Sequence, residues 1–287
     1  MGAARGPRAG GWPTLESPPP AAGAPALLAV DLDGTVLGPG SELAPTGAEA
    51  LRRASRMGVV VVLATGRMLR SARGVQERLG LAGPLLAYNG GMVQLPDGRS
   101  WTDPVPLAAA RAIAEACRAQ GYFLQAYFGD DLRVPHADPR AEAYARLASV
   151  PYAVDPEAVW AMAQPPTKLL VIEPAGRMPE VRAALAPAAA GRCELAHSYA
   201  HYLEISAAGV DKGTALARLA AALGIPRAAV MAVGDGENDL PMLRYAARAV
   251  AVANAAPAAA AAAGFVTAAP YGDGVAEALA AVLPPER

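Results

Sequence analysis

The stretch LLAVDLDGTVLG, residues 27–38, runs four apolar residues into two aspartates separated by one leucine, and a Gly-Thr pair then ends the run. The apolar part reads as a strand buried on both faces, as in a parallel sheet. Continued in strand geometry, Asp31 and Asp33 alternate around Leu32 and point to one face. Carboxylates that close repel unless a cation lies between them or one holds a proton. Taken alone, the stretch also allows a plain turn, signalled by Asp-Gly, in which the acids cap a loop. The rest of the chain has to choose.

Outward from this stretch, short apolar runs alternate with amphipathic segments. ALLAV (26–30), VVVVLAT (59–65) and LLAYNGG (85–91) read as buried strands, the last ending in a loop. APTGAEALRRASRMG (44–58) reads as a helix, with Thr46 as N-cap and Gly58 as its stop, and a second helix spans Arg67 to Leu79. After Asn89 the rhythm changes. MVQLPDGRSWT reads as a hairpin turning at Asp97-Gly98, and a mixed block of helices and antiparallel strands follows. Near Gly209 the first rhythm resumes, with helix 213–223, strand 228–234, a helix from Leu240, strand 249–253 and a last helix near 274–283. The pattern predicts an α/β fold: a Rossmann-like parallel-sheet core, residues 26–105 and 204–287, with an inserted α+β cap domain over 106–203. Residues 1–25 are rich in Gly, Pro and Ala, contain Trp12 and lack the apolar run of a secretory signal, so a disordered tail is expected.

Composition excludes several classes of function. The 287 residues carry a formal net charge of −1, which gives no electrostatic case for nucleic acid or an anionic membrane surface. No apolar run reaches the roughly 20 residues of a membrane-spanning helix. Cys117 and Cys193 form no CxxC pair and read as free thiols, which suits a reducing cytoplasm. Only two of the 25 basic residues are lysines, Lys168 and Lys212. A chain that uses arginine at its surface calls for a reason at each lysine, such as a compact ammonium touching one phosphoryl oxygen.

In open α/β sheets, ligands bind beyond the carboxyl ends of the strands. Those ends hold Asp31-Leu32-Asp33-Gly34-Thr35, Thr65-Gly66-Arg67 and GDGEND (234–239), with Lys212 opening a helix just after the inserted block. Each alone has an ordinary structural explanation: a loop, an acidic first turn stabilised by the helix dipole, an exposed lysine. Together they put several carboxylates, a hydroxyl, a lysine and many glycines at one sheet edge. DxDGT after an apolar strand, Thr-Gly-Arg, the lysine of GVDKGTAL and GDGENDLPML resemble, in order and spacing, the four motifs of the haloacid dehalogenase superfamily. The resemblance is to the Cof-type hydrolases, whose cap is inserted between the second and third motifs, and it spans roughly residues 26–283. Gly91, where the family usually has alanine, and the lysine-free tract 258–263 depart from its pattern without removing a catalytic group.

The resemblance implies a Mg²⁺-dependent phosphatase acting on phosphate monoesters of small metabolites, with no nucleic-acid or membrane partner, as a monomer or small homo-oligomer. It implies Asp31 as nucleophile and Asp33 as general acid and base, roles the chemistry also supports. It places Mg²⁺ on Asp31, the backbone carbonyl of Asp33 and Asp235, an all-oxygen set that suits a hard cation, with Asn238 and Asp239 behind it. Leu32, Gly34, Thr65, Gly66 and Lys212 would bind the phosphoryl group. Arg67, Asn89, Tyr127, Arg133, His136, Lys168 and Tyr199 are candidates for reading the substrate. His197 and His201 are spaced four apart, but without a carboxylate partner they make a weak zinc site. Two alternatives stand: a phosphomutase that returns phosphate to sugar, and a non-enzymatic phospho-acceptor or metal-binding module of receiver type. The second acid, Asp33, and the insertion argue against the latter.

Overall fold

The computed structural model describes residues 23–285. The tail expected over 1–25 lies outside these apart from its last three residues, where the Gly23 carbonyl accepts a hydrogen bond from Arg248 (2.8 Å). The chain starts with β1 (Leu27–Val30), passes through α1 (Pro45–Arg56) to β2 (Val60–Ala64), and through α2 (Leu69–Leu79) to β3 (Leu85–Ala87). A hairpin of β4 (Met92–Gln94) and β5 (Ser100–Thr102) follows. The chain then builds β6 (Phe123–Phe128), β7 (Asp131–Val134), β8 (Ala153–Val154), β9 (Lys168–Ile172), β10 (Cys193–Tyr199) and β11 (Tyr202–Ala207). Around these strands lie α3 (Leu107–Gln120), α4 (Pro139–Ala148), α5 (Pro156–Trp160) and α6 (Met178–Ala189). It returns by α7 (Lys212–Ala222) to β12 (Val230–Gly234), α8 (Leu240–Tyr245) and β13 (Arg248–Ala251), and ends with α9 (Pro257–Ala262), β14 (Phe265–Val266) and α10 (Tyr271–Ala280).

The first sheet has the order β14-β13-β12-β1-β2-β3-β4-β5, parallel except at β4 and β5. Both faces of β1 are buried, which is why its sequence is continuously apolar rather than alternating. Leu28 and Val30 pack with α1, α2 and α10, whereas Leu27 and Ala29 pack with α7, α8 and α9. From β1 the chain moves outward to β2, and on its return it runs outward the other way from β12, β1's opposite neighbour. That reversal opens a crevice beyond the carboxyl ends of β1 and β12, the position where such sheets bind ligands.

The second sheet has the order β10-β11-β9-β6-β7-β8 and is antiparallel except for β7 with β8. Its two faces have different partners. Leu124, Leu169, Val171 and Leu203 pack with α3 and α6; Phe123, Tyr127, Leu170 and Tyr202 share a cluster with Tyr88 and Met92 of the first sheet's side. The second sheet therefore sits with this inner face against the core.

Several local expectations are corrected, whereas those for the hairpin and the free thiols hold. A domain boundary at 203/204 would cut β11, which pairs with both β10 and β9 in the second sheet; the sequence alternation runs unbroken to Ala207, and the left-handed Gly209 (φ +73°) follows. Thr46 is not the N-cap of α1. Pro45 takes the first helical position, Ala44 precedes it, and the Thr46 hydroxyl donates to Asp273 instead. Arg67 lies before α2, in the loop that ends β2. The last helix begins at Tyr271, three residues earlier than expected. The hairpin turns at Gly98 (φ +85°), pairing Met92 with Thr102. Cys117 and Cys193 are free thiols. No helix among the described residues is long and apolar enough to cross a membrane.

Candidate active site

Immediately after β1 the chain closes a tight turn. The Leu32 carbonyl accepts the amides of Thr35, Val36 and Leu37, and Gly34 donates to the Leu37 carbonyl (3.0 Å). This turn buries Asp31 (4 % exposed) at the bottom of the crevice and leaves Asp33 nearer solvent. Lys212 is fully buried at the first position of α7, and its ammonium reaches Asp31 Oδ1 at 2.5 Å and Asp239 Oδ1 at 2.7 Å. The helix start is fixed by a capping box in which Asp211 accepts the Thr214 amide and Thr214 Oγ1 accepts that of Asp211. At the end of β12, Asp239 Oδ2 accepts the amides of Asp235 and Gly236, both at 2.9 Å. Thr35 Oγ1 donates to Asp235 Oδ1 (2.6 Å), tying the first turn to the last.

Asp31, Asp235 and Asp239 bring carboxylate oxygens within 4.8 Å of one another and could hold a metal ion. Three acids face one ammonium, and the electrostatics record the excess. Burial pushes the Asp31 carboxyl well above the usual carboxylate range; Lys212 opposes this, and Asp239, Asp235 and Asp33 add to it. Burial also raises Asp235, with the Thr35 hydrogen bond opposing. Burial works against the Lys212 ammonium, but Asp239 and Asp31 outweigh it and raise its pKa. An oxygen-only set with surplus negative charge fits a hard divalent cation. Asp239 already spends one oxygen on Lys212 and the other on two amides, so Asp31 and Asp235 are the acids with ligating capacity left. His197 and His201 lie elsewhere, at the β10–β11 turn, where His197 Nδ1 contacts the Tyr202 carbonyl (3.1 Å) and the His201 ring packs on Tyr202.

The second strand end faces the first. Thr65 is buried, and its hydroxyl accepts the Arg67 amide (3.1 Å). The Arg67 guanidinium grips both oxygens of Asp33, Nε at 2.7 Å and Nη2 at 2.5 Å, and Nη2 also donates to Ser41 Oγ (3.0 Å). Next to it, Asn89 donates its amide to the Thr65 carbonyl (2.9 Å) and its Nδ2 to Glu204 (3.0 Å), and accepts from Asn238 (3.1 Å). Asn238 thus reaches Asn89, across the crevice.

The substrate-reading candidates separate. Arg67, Asn89 and Lys168 come together at the crevice, each already partnered; Lys168, though on β9, points its ammonium at Glu204 and the Gly66 carbonyl, both 3.4 Å away. Tyr199 is half-exposed at the end of β10. Its hydroxyl is raised first by burial and next by the Asp33 charge, with Arg67 opposing. Tyr127 is buried in the inner face of the second sheet and donates to Gln125 (2.9 Å). Arg133 pairs with Asp131, and His136 lies by Asp138 and the Phe123 ring. Sequence reasoning missed Glu204 and Asn254. Glu204 was visible as a charge in the otherwise apolar alternation YLEIS. Asn254 holds the Gly34 carbonyl (2.8 Å) and the Tyr271 amide (2.9 Å), a bridge that no local pattern announces.

Comparison with known proteins adds three likenesses and a family match. The sequence model of haloacid dehalogenase-like hydrolases matches residues 28–279. A phosphoglycolate phosphatase of Natronomonas pharaonis is 33 % identical over 255 residues, covering 88 % of this chain and 96 % of its own. A 5-amino-6-(5-phospho-D-ribitylamino)uracil phosphatase of Bacillus subtilis is 26 % identical over 258 residues, covering 88 % and 95 %. The crystal structure of a haloacid dehalogenase-like hydrolase from Bacteroides thetaiotaomicron superposes with a TM-score of 0.82 at 28 % identity, covering 90 % of this chain and 99 % of that one.

Proposed function

Because the chain belongs to the haloacid dehalogenase-like hydrolases, we propose that it is a Mg²⁺-dependent phosphatase of small phosphate monoesters, sugar phosphates or phosphorylated cofactors. The observation that carries this reading is the buried Asp31 held by Lys212 at 2.5 Å, with a second carboxylate, Asp33, one residue beyond Leu32. An Asp31 oxygen attacks phosphorus as the ester P–O bond breaks, leaving an aspartyl-phosphate. Asp33 gives its proton to the departing alkoxide, then takes one from the water that attacks the aspartyl-phosphate and frees inorganic phosphate. In this structure the Arg67 fork holds both Asp33 oxygens, so it has to release one of them before Asp33 carries the proton it gives. Lys212 and the Thr65 hydroxyl neutralise and position the phosphoryl oxygens, which is where most of the catalysis in phosphoryl transfer arises. Asp31, Asp235 and the Asp33 backbone carbonyl would hold Mg²⁺, whose charge offsets that of the phosphoryl oxygens when bound. The relatives, named for a two-carbon acid phosphate and a ribityl phosphate, support a small phosphorylated metabolite as substrate.

The test is phosphate release from a panel of sugar phosphates, nucleotides, pyridoxal phosphate and p-nitrophenyl phosphate, with Mg²⁺ or with EDTA. Release should require Mg²⁺ and fall by at least about 10³-fold in Asp31→Asn. A metal-loaded wild type that releases no phosphate from any of them would overturn the reading. Isomer conversion without release would put the phosphomutase in its place.

A further inference from the structure

Lys168, the other of the two lysines, is nearly as buried as Lys212 (2 % exposed) although it stands on a strand of the inserted sheet. Its ammonium sits over the Tyr88 and Tyr127 rings, 5.7 and 5.0 Å from their centroids, and pairs with Glu204 on β11 at 3.4 Å. The remaining polar contacts of this pair leave the inserted sheet. Lys168 donates to the Gly66 carbonyl, and the same Glu204 oxygen that faces Lys168 accepts from Asn89.

Asn89 belongs to an unusual turn. Tyr88, Asn89 and Gly90 all have left-handed backbones, φ +54°, +54° and +98°. Glycine adopts this at no steric cost and asparagine tolerates it, but for tyrosine it is strained and persists only where the surroundings over-determine it. Part of those surroundings is supplied by the inserted domain: Asp130, in the β6–β7 turn, accepts from the Tyr88 hydroxyl (3.0 Å), and Glu204 accepts from Asn89. On its other side the turn is zipped to the phosphate station, Asn89 donating to the Thr65 carbonyl and Tyr88 to that of Arg67.

We propose that Lys168 and Glu204 are positioning residues: through the Gly66 carbonyl and the left-handed 88–90 turn, they let the docked cap hold Thr65–Gly66–Arg67 in working geometry. This rests on the phosphatase reading of that site. A buried ion pair is a poor device for stability, since well-packed apolar residues in its place are often neutral or better. As a coupling it is economical, because undocking the cap strips the strained turn of its Glu204 and Asp130 contacts and the Gly66 carbonyl of its ammonium in one motion. Phosphate would then be gripped fully only under a docked cap.

The experiment uses Lys168→Met/Glu204→Gln, which removes both charges without leaving one buried alone, and Asn89→Gly, which keeps the left-handed turn but cuts its side-chain links. For both, kcat and KM are measured on the best substrate of the panel, and amide hydrogen exchange is followed in 65–67 and 88–91. The proposal expects kcat to fall at least about tenfold with KM within about threefold, and loop amides to exchange at least about tenfold faster. Either variant folding with kcat within about twofold of wild type and unchanged loop protection overturns it. If the wild type releases no phosphate yet the variants lose loop protection, the coupling stands and the phosphatase reading falls.

Discussion

Gly34 shows how little freedom one residue of the site has. Its φ is +88°, and a Cβ there would overlap the Asp235 carboxylate. Gly34→Ala therefore strains the turn by about 1–2 kcal/mol and pushes Asp235 away from Asp31. The expected outcome is a fall in kcat of at least about tenfold together with a higher Mg²⁺ concentration for half-maximal activity, read from a metal titration. At this scale the sequence was informative. Asp31, Asp33, Thr65, Lys212 and Asp235 all stand at strand or helix ends on one crevice, and the scarcity of lysine singled out two residues that are both buried in ion pairs. Burial itself was invisible: nothing in GVDKGTAL says that Lys212 would be fully enclosed by Asp31 and Asp239.

Among the elements, α4 is held by chemistry that pH can undo. Asp138 caps it, accepting the Arg140 amide (2.8 Å) and both Nε and Nη2 of its guanidinium (2.9 Å each), while Arg140 Nη1 reaches Glu173 at 2.7 Å. The Arg140 hydrogen bonds hold the Asp138 carboxyl down at about 2. An acid whose folded pKa lies below its unfolded value stabilises the fold above the unfolded value, near 4, and loses that contribution as pH falls through the folded one. Asp138→Asn should thus melt lower than wild type at neutral pH, with the gap closing between about pH 4 and pH 2; thermal melts across that range check it. A gap independent of pH would mean that the cap geometry and not the charge matters. Element types were legible from period and composition, because buried parallel strands are continuously apolar and helices here are amphipathic. Their ends were less so. Pro45 and not Thr46 begins α1, since a proline at the first helical position sets the start whatever hydroxyl follows.

Across the whole molecule, the inserted sheet grips the core at a second point. Asp130 Oδ2 accepts the Arg70 amide (2.9 Å) and Nε (3.1 Å), so a residue of the second sheet caps the first turn of α2 while its other oxygen takes the Tyr88 hydroxyl. Asp130→Ala removes that cap, a loss of about 1 kcal/mol, and should lower Tm by roughly 2–4 °C. It should also speed limited proteolysis at the connections near residues 103–106 and 208–211, because the cap spends more time undocked. A lower Tm with unchanged cleavage there would show that Asp130 only caps α2.

Composition and strand periodicity were enough to predict a parallel α/β core, an inserted mixed domain, three polar strand ends and a lysine opening a helix beside them, because these follow from local pattern and from the rule that open sheets bind ligands at their carboxyl ends. Which residues meet across the crevice depended on chain segments far apart in sequence. Lys212 lies 181 residues from Asp31, and Glu204 lies 115 from Asn89. No periodicity encodes such pairings. They arise when the reversal between β1 and β12 brings GDGEND beside DLDGT and when the inner face of the second sheet docks Lys168 and Glu204 onto the 65–67 and 88–90 turns. That β11 belongs to the second sheet was hidden for the same reason: which sheet a strand joins is settled by its hydrogen-bond partners, here β9 and β10, and not by its own alternation.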